Sequence, residues 1–245
     1  MNYGSYVMTG KDRIKCLALS VVITVFAAWL LYKSPIGLVL IAGIYPFLKK
    51  GYVEKKVEEQ RRKLLLQFKD AIQSVSVALL SGYSMENAWK EAEMEISELH
   101  GTDAYMLVEL KEINQGVAMN QPIEELLYRF ALRSQCEDIL NFAEILRFAK
   151  RSGGNLGKII KNTTDRINEK FEIEQEIETI ISGKKMEQKV MNIVPVALLA
   201  YLNLTSGDFL EPLYGSLFGA CVMTIAFLAY LAAFSLSRKM IRYGR

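Results

Sequence analysis

The chain has 245 residues, 51% of them hydrophobic, with 30 Lys+Arg against 27 Asp+Glu, a formal net charge of +3, one histidine and three cysteines. This length accommodates one or two domains. So small a net charge leaves no footprint for nucleic acid, and Cys16, Cys136 and Cys221 have the spacing of neither a metal site nor a disulfide framework. The charges are unevenly placed, since residues 49–189 hold 22 of the 30 basic and 24 of the 27 acidic residues while both flanks are apolar.

Residues 1–13 read as a short polar, cytosolic N-terminal arm. Residues 14–32 form an apolar run interrupted by Lys15, Ser20 and Thr24, close to the ~20 residues a helix needs to cross a bilayer. Lys11, Arg13 and Lys15 precede it, as they would a signal peptide. The run exceeds a signal core of roughly 7–15 residues, however, and Trp29-Leu30-Leu31-Tyr32 offers no small-residue cleavage site. A retained transmembrane helix is the reading that fits. After Lys33-Ser34-Pro35, residues 35–48 make a second, shorter apolar run containing Gly37, Gly43 and Pro46. Lys49, Lys50, Lys55, Lys56, Arg61, Arg62 and Lys63 follow, and such clusters remain on the cytoplasmic side. They also suit anionic lipid headgroups.

From Val53 the apolar period becomes helical. Leu65, Phe68, Ile72, Val75 and Leu79 recur at three- and four-residue steps, and Ser81-Gly82 ends that helix in a structural corner. Ser84 caps a second helix carrying Met85, Ala88, Trp89, Ala92 and Ile96, with Glu86 in its first turn. His100-Gly101-Thr102-Asp103 separates it from a third, stopped at Asn114-Gln115-Gly116. Asn120 and Pro122 start a fourth, running to about Arg133. Ser134 with Glu137 reads as a capping box opening a fifth, through Phe142, Ile145 and Phe148.

The fifth helix leads to the stretch around which the charged region is organised, Arg147-Phe148-Ala149-Lys150-Arg151-Ser152-Gly153-Gly154-Asn155-Leu156. Basic residues in a last turn and glycines beyond it fit a helix C-terminus, and Asn155 fits the next N-cap. Gly153 and Gly154 thus read as a second structural corner. A sixth helix continues to about Glu187 with Ile160, Thr163, Ile167, Phe171, Ile177 and Ile181 toward one side.

Residues 190–204 form the third apolar run, with Asn192, Pro195 and Asn203 inside it. The loop 205–216 carries Asp208 and Glu211 but no Lys or Arg, as an extracytoplasmic loop does. Residues 217–237 are the clearest span, and the tail 238–245 is basic with Arg238, Lys239, Arg242 and Arg245. These patterns predict an all-α, polytopic membrane protein. A six-helix cytosolic bundle, 49–189, lies between two pairs of transmembrane helices, 14–32 with 35–48 and 190–204 with 217–237. Both termini and the bundle are cytoplasmic.

No catalytic, cofactor-binding or metal site emerges. Around Gly154 the order departs from a phosphate-binding loop: Ser152 stands where its first glycine belongs and Ile159 where the Mg²⁺-binding hydroxyl belongs, and the stretch follows a helix instead of a strand. His100 reads as a solvated turn residue, and Glu172, Glu174, Glu176 and Glu178 as a solvated helix face.

The chain resembles the F-type inner-membrane platform proteins of type II secretion systems and type IV pili, and among them the tight-adherence (Flp) pilus assembly proteins. The resemblance rests on the two hydrophobic pairs around one helical domain. It rests also on Leu80-Ser81-Gly82-Tyr83-Ser84-Met85-Glu86-Asn87-Ala88, Arg151-Ser152-Gly153-Gly154-Asn155-Leu156, Asp165-Arg166-Ile167 and Pro195. It implies a non-enzymatic platform in a bacterial or archaeal cell membrane. The partners it implies are membrane lipids, a hexameric assembly ATPase, pilin subunits, and either a similar platform protein or a second copy of the chain. On that reading Arg147, Lys150, Arg151 and Asn155 are the candidate partner-binding residues. A permease subunit is the alternative, with Asn192, Pro195 and Asn203 along a path. The near absence of ionisable residues from the spans speaks against it.

Overall fold

A computed structural model describes residues 3, 4, 6, 8, 10–31, 41–152 and 156–205, and beyond them residues 219, 221, 222, 224–226, 229, 230, 232, 233, 235 and 236. The fold is all-α, and no strand occurs among the described residues. The named helices are α1 (Gly10–Leu31), α2 (Ile41–Leu80), α3 (Met85–His100), α4 (Tyr105–Ala118), α5 (Ile123–Ser134), α6 (Glu137–Ser152) and α7 (Leu156–Thr205). The chain divides into two compact units, one of Met1–Val7 with Val53–Glu172 and the other of Met8–Tyr52 with Ile173–Arg245.

The first unit has a contiguous apolar core. Leu64, Phe68, Ala71, Ile72 and Val75 of α2 are fully buried, at the three- and four-residue steps that place side chains on one helix face. Phe68 lies near its centre, 5.3 Å between ring centroids from Phe142 of α6 and 6.3 Å from Phe130 of α5. Successive helices pack on one another, α3 on α4, α4 on α5 and α5 on α6. The beginning of α7 closes the unit. Ile160 and Thr164 are buried, Lys170 reaches Asp138 of α6 at 2.6 Å, and Asn168 donates to Gln73 of α2 at 3.2 Å.

Several boundaries differ from the sequence expectation. α2 runs unbroken for 40 residues through Pro46 and across 48/49, and α7 for 50 residues through Pro195 and across 189/190. Lys and Glu are good helix formers, so the change from apolar to charged residues marks a change of surroundings and not a break in the backbone. α4 likewise continues past Asn114-Gln115-Gly116. Asn114 is buried and donates to the Trp89 carbonyl at 3.2 Å and to Glu93 at 2.7 Å. Gly116 admits Leu126 so closely that a Cβ there would stand 2.7 Å from its methyl carbons.

The cap of α3 is as expected, with Ser84 Oγ accepting from the Asn87 N–H. The Ser134–Glu137 capping box is absent. Ser134 ends α5, fully buried, donates to the Ala131 carbonyl and accepts from the Cys136 N–H. Its place between two packed helices draws the hydroxyl to nearer groups. α4 has no side-chain cap of its own at Ala104, and Gln67 of α2 accepts from the Met106 N–H at 3.1 Å. Gly82 turns the chain with φ +90°, a conformation natural to glycine.

The second unit is described by itself. In α1, Cys16 and Ser20 are buried while Ile14, Leu17, Leu19 and Val22 are exposed. Tyr52 donates to Asp12 at 3.0 Å, and Tyr230 to the Asn192 carbonyl at 2.7 Å. The last turns of α7 expose Met191, Ile193, Leu198, Tyr201 and Leu204. Among the described residues no helix is long and apolar enough to cross a membrane. The run 190–204 holds two asparagines, and the runs 14–32, 35–48 and 217–237 extend over residues outside those described, as do most of the loop 205–216 and all of the tail 238–245.

Candidate functional site

The α5–α6 pair carries the basic residues singled out by sequence. α5 begins with Glu124 and Glu125, and α6 ends with Lys150 and Arg151. The two helices lie with these ends together, acid at one helix start and base at the other helix end, which complements both macrodipoles. Lys150 Nζ is 2.7 Å from Glu124, and Arg147 is 3.9 Å from Glu125 with its guanidinium 5.2 Å above the Tyr128 ring. Burial pushes the Glu124 carboxyl up. The Lys150 hydrogen bond, its own backbone bond and the charges of Lys150 and Arg151 outweigh that and hold it below the usual carboxylate range. Arg147 and Lys150 therefore tie α6 to α5. Arg151 is exposed. Asn155, with Gly153 and Gly154, lies outside the described residues.

One turn before Arg151 on α6 stands Phe148, the last apolar residue of the expected fifth helix. Phe142 is buried, but Ile145 is 41% and Phe148 74% exposed. Three-residue steps advance 300° around an α-helix, so a series 142, 145, 148 rotates away from the core by about 60° each time. The buried series of α6 is Ile139, Phe142, Ala143, Leu146 and Ala149. An exposed aromatic next to an exposed guanidinium has the composition of a binding hot spot.

A second constellation was not foreseen. Tyr3, in the stretch read as a polar arm, is 2% exposed. Its hydroxyl donates to Glu109 Oε1 at 2.9 Å, and Arg133 Nη2 donates to Glu109 Oε2 at 2.6 Å and to Glu112 at 3.1 Å. The Tyr3 ring meets Tyr105 edge-on at 5.9 Å. Its N–H donates to the Arg133 carbonyl at 3.3 Å, and its own carbonyl accepts from Arg61 Nε at 3.4 Å. Arg61 also donates to the Gln135 side chain. Part of the basic cluster 55–63 is thus engaged with protein, as is Lys56 with Glu59. Burial, then the charge of Glu109, push the Tyr3 phenol far above its ordinary range, which keeps it an O–H donor. The signal in the sequence was Glu109 itself, three residues after Met106 and four before Ile113, a carboxylate on the buried side of α4. Its partners stand 106 and 24 positions away.

His100 is not a solvated turn residue. It is the last residue of α3, and its Nε2 lies 2.8 Å from Asp70 of α2. Burial pushes the Cys136 thiol up, away from nucleophilic use. Among the described residues no group of three His, Cys, Asp or Glu could hold a metal ion. Comparison of the chain with protein families, with curated proteins and with solved structures finds no match.

Proposed function

We propose that the chain is a non-enzymatic scaffold of the cell membrane, the platform of a tight-adherence type IV pilus or type II secretion machine. The observation that carries this reading is the uncovered apolar surface of the second unit. Ile14 is 70%, Val22 64%, Met191 69% and Leu204 76% exposed, whereas the α2 stripe from Leu64 to Val75 in the first unit is fully buried. Contiguous apolar surface is unfavourable in water by roughly 25 cal/mol per Å² and marks a membrane or partner surface. The Lys/Arg distribution of the loops favours a multi-pass topology with both termini and the bundle 49–189 in the cytoplasm.

In this reading the bundle is the face offered to a hexameric assembly ATPase, with Phe148 and Arg151 at the contact. Arg147 and Lys150 hold α6 in place behind them. Pilin subunits meet the membrane-seated part, and a second copy or a similar protein completes the platform. The test is co-purification from detergent-solubilised membranes with the secretion ATPase of the same organism. Phe148→Asp with Arg151→Glu is expected to abolish recovery of the ATPase while leaving the bundle folded. Unchanged recovery would remove this face from the coupling role, and recovery of the parent chain in the soluble fraction would overturn the membrane scaffold itself.

A further inference from the structure

Along α7, Ile173, Ile177 and Ile180 recur in steps of four and three, and all three are exposed. The same steps carry on through Lys184 and Glu187, also exposed, to Met191, Val194 and Leu198. The half-buried residues of this stretch, Ile181, Lys185, Gln188 and Asn192, lie on a line about 100° around the helix. The apolar seam is therefore separate from the side on which α7 is partly covered. The three isoleucines precede the run 190–204 that the membrane reading seats in lipid, and Glu172, Glu174 and Glu176 stand exposed among them. Single exposed apolar residues are ordinary, but a stripe of isoleucine in water is unfavourable, and a protein surface is the cover that suits it.

The spacing and the charges point to one occupant. Steps of four and three are the d and a positions of a coiled coil, in which each side chain inserts among those of a like helix. Residues 177, 184, 191 and 198 take the a positions and residues 173, 180, 187 and 194 the d positions. Two copies of α7 side by side and parallel set Ile180 against Ile180 and bring Lys184 of each within reach of Glu187 of the other. The one charged interruption of the seam is thus self-complementary, and a single charged a position fixes the register. At the other end Glu169 of one copy faces Glu174 of its partner, like charges that stop the pairing at Ile173. The seam from Ile173 to Leu198 is about 39 Å long at the helical rise.

We infer that a second copy of this chain docks on the Ile173–Leu198 seam, so that two α7 helices form a parallel coiled coil closed by isoleucine and locked in register by Lys184 and Glu187. The parallel direction rests on the membrane-platform reading, since two copies of one topology in one bilayer run the same way.

The experiment uses the full chain in its membranes, freed of its own thiols by Cys16→Ala, Cys136→Ala and Cys221→Ala. Single cysteines are placed on and off the seam and oxidised mildly. Ile180→Cys is expected to give at least tenfold more disulfide-linked dimer than Ser182→Cys, which is exposed but about 200° around the helix. Lys184→Glu in the Ile180→Cys chain should lower the yield at least fivefold, and adding Glu187→Lys should restore it. Equal yields at 180 and 182 would overturn the proposal. A link that forms only between Ile180→Cys and Met191→Cys chains, as an antiparallel pair gives, would overturn it too, as would a linked species whose mass is not that of two chains. Membrane-bound chains without a link at 180 overturn the seam and leave the platform reading standing. A link at 180 in chains recovered from the soluble fraction keeps the seam and overturns the platform. Independently, light scattering of the parent in detergent micelles should give the mass of two chains, and that of the Ile177→Asp, Ile180→Asp chain the mass of one. A parent of one chain overturns the proposal whatever the cysteine variants do.

Discussion

In the unit of residues 53–172, apolar stripes at three- and four-residue steps close into a core: Phe68, Ile72, Trp89, Leu110 and Phe130 expose essentially nothing, while Ile145 and Phe148 stay open. In the other unit, residues of the same types at the same helical spacing lie open. Leu17 and Leu198 each expose more than half their surface. α2 and α7 contribute to both units without interruption, so the difference is not one of secondary structure. Helical periodicity specifies a face, and only a neighbouring element decides whether that face is a core. Where a neighbour packs on it, the stripe closes; elsewhere it stays exposed.

The comparison can be broken or sharpened by substitutions. The largest effect is expected from Phe68→Ala, which opens a cavity between α2, α5 and α6 and should cost the bundle about 3–5 kcal/mol in a denaturant titration. A loss under about 1 kcal/mol would mean that the core does not close around this ring. Arg133→Ala removes the charged donor to the buried Glu109 carboxylate; a cost of about 2–3 kcal/mol is expected, softened from the fully buried case because Arg133 is one-third exposed. Ser84→Ala removes the cap of α3 and should cost about 1 kcal/mol, with Ser84→Asp restoring it.

Smaller still is the Lys150–Glu124 pair, under about 1 kcal/mol for two partly exposed side chains. Its pH dependence has a definite sign. The Glu124 carboxyl titrates lower in the folded chain than its ordinary value of 4.5. Its contribution is therefore fully present above about pH 4.5 and is lost as pH falls through the folded value. Lys150→Gln should flatten the stability profile in that window, and an unchanged profile would show that the pair does not hold α6 to α5. The smallest effect is expected in the second unit, where Val22→Ala should leave the same denaturation transition within about 0.5 kcal/mol. A cost approaching that of Phe68→Ala would show that α1 is packed like the bundle and would dissolve the contrast.

The local part of the fold was legible because its causes are local. Ser84 caps α3 through a bond three residues long, Gly82 takes a backbone angle that other residues resist, and the α2 stripe repeats at the helix period. The rest depends on partners distant in the sequence, or on conformation that composition does not fix. Asn114 looked like a helix stop but donates to Trp89 and Glu93 of the facing helix. Arg147 and Lys150 looked like a free basic flank and are engaged by Glu125, Tyr128 and Glu124 of α5. Phe148 followed Phe142 by six residues, two steps of three, and ended on the open side of α6.

By itself the sequence determined the helical class, the charged centre between apolar flanks, and most helix ends in the bundle, since propensity, capping and periodicity act over a few residues. Tertiary structure alone decided which stripes found a neighbour, that Gln67 of α2 caps α4, and that Tyr3 reaches across 106 positions to donate to the buried Glu109. Burial and the pairing of a desolvated charge depend on what arrives from elsewhere in the chain, and no window of adjacent residues contains that information.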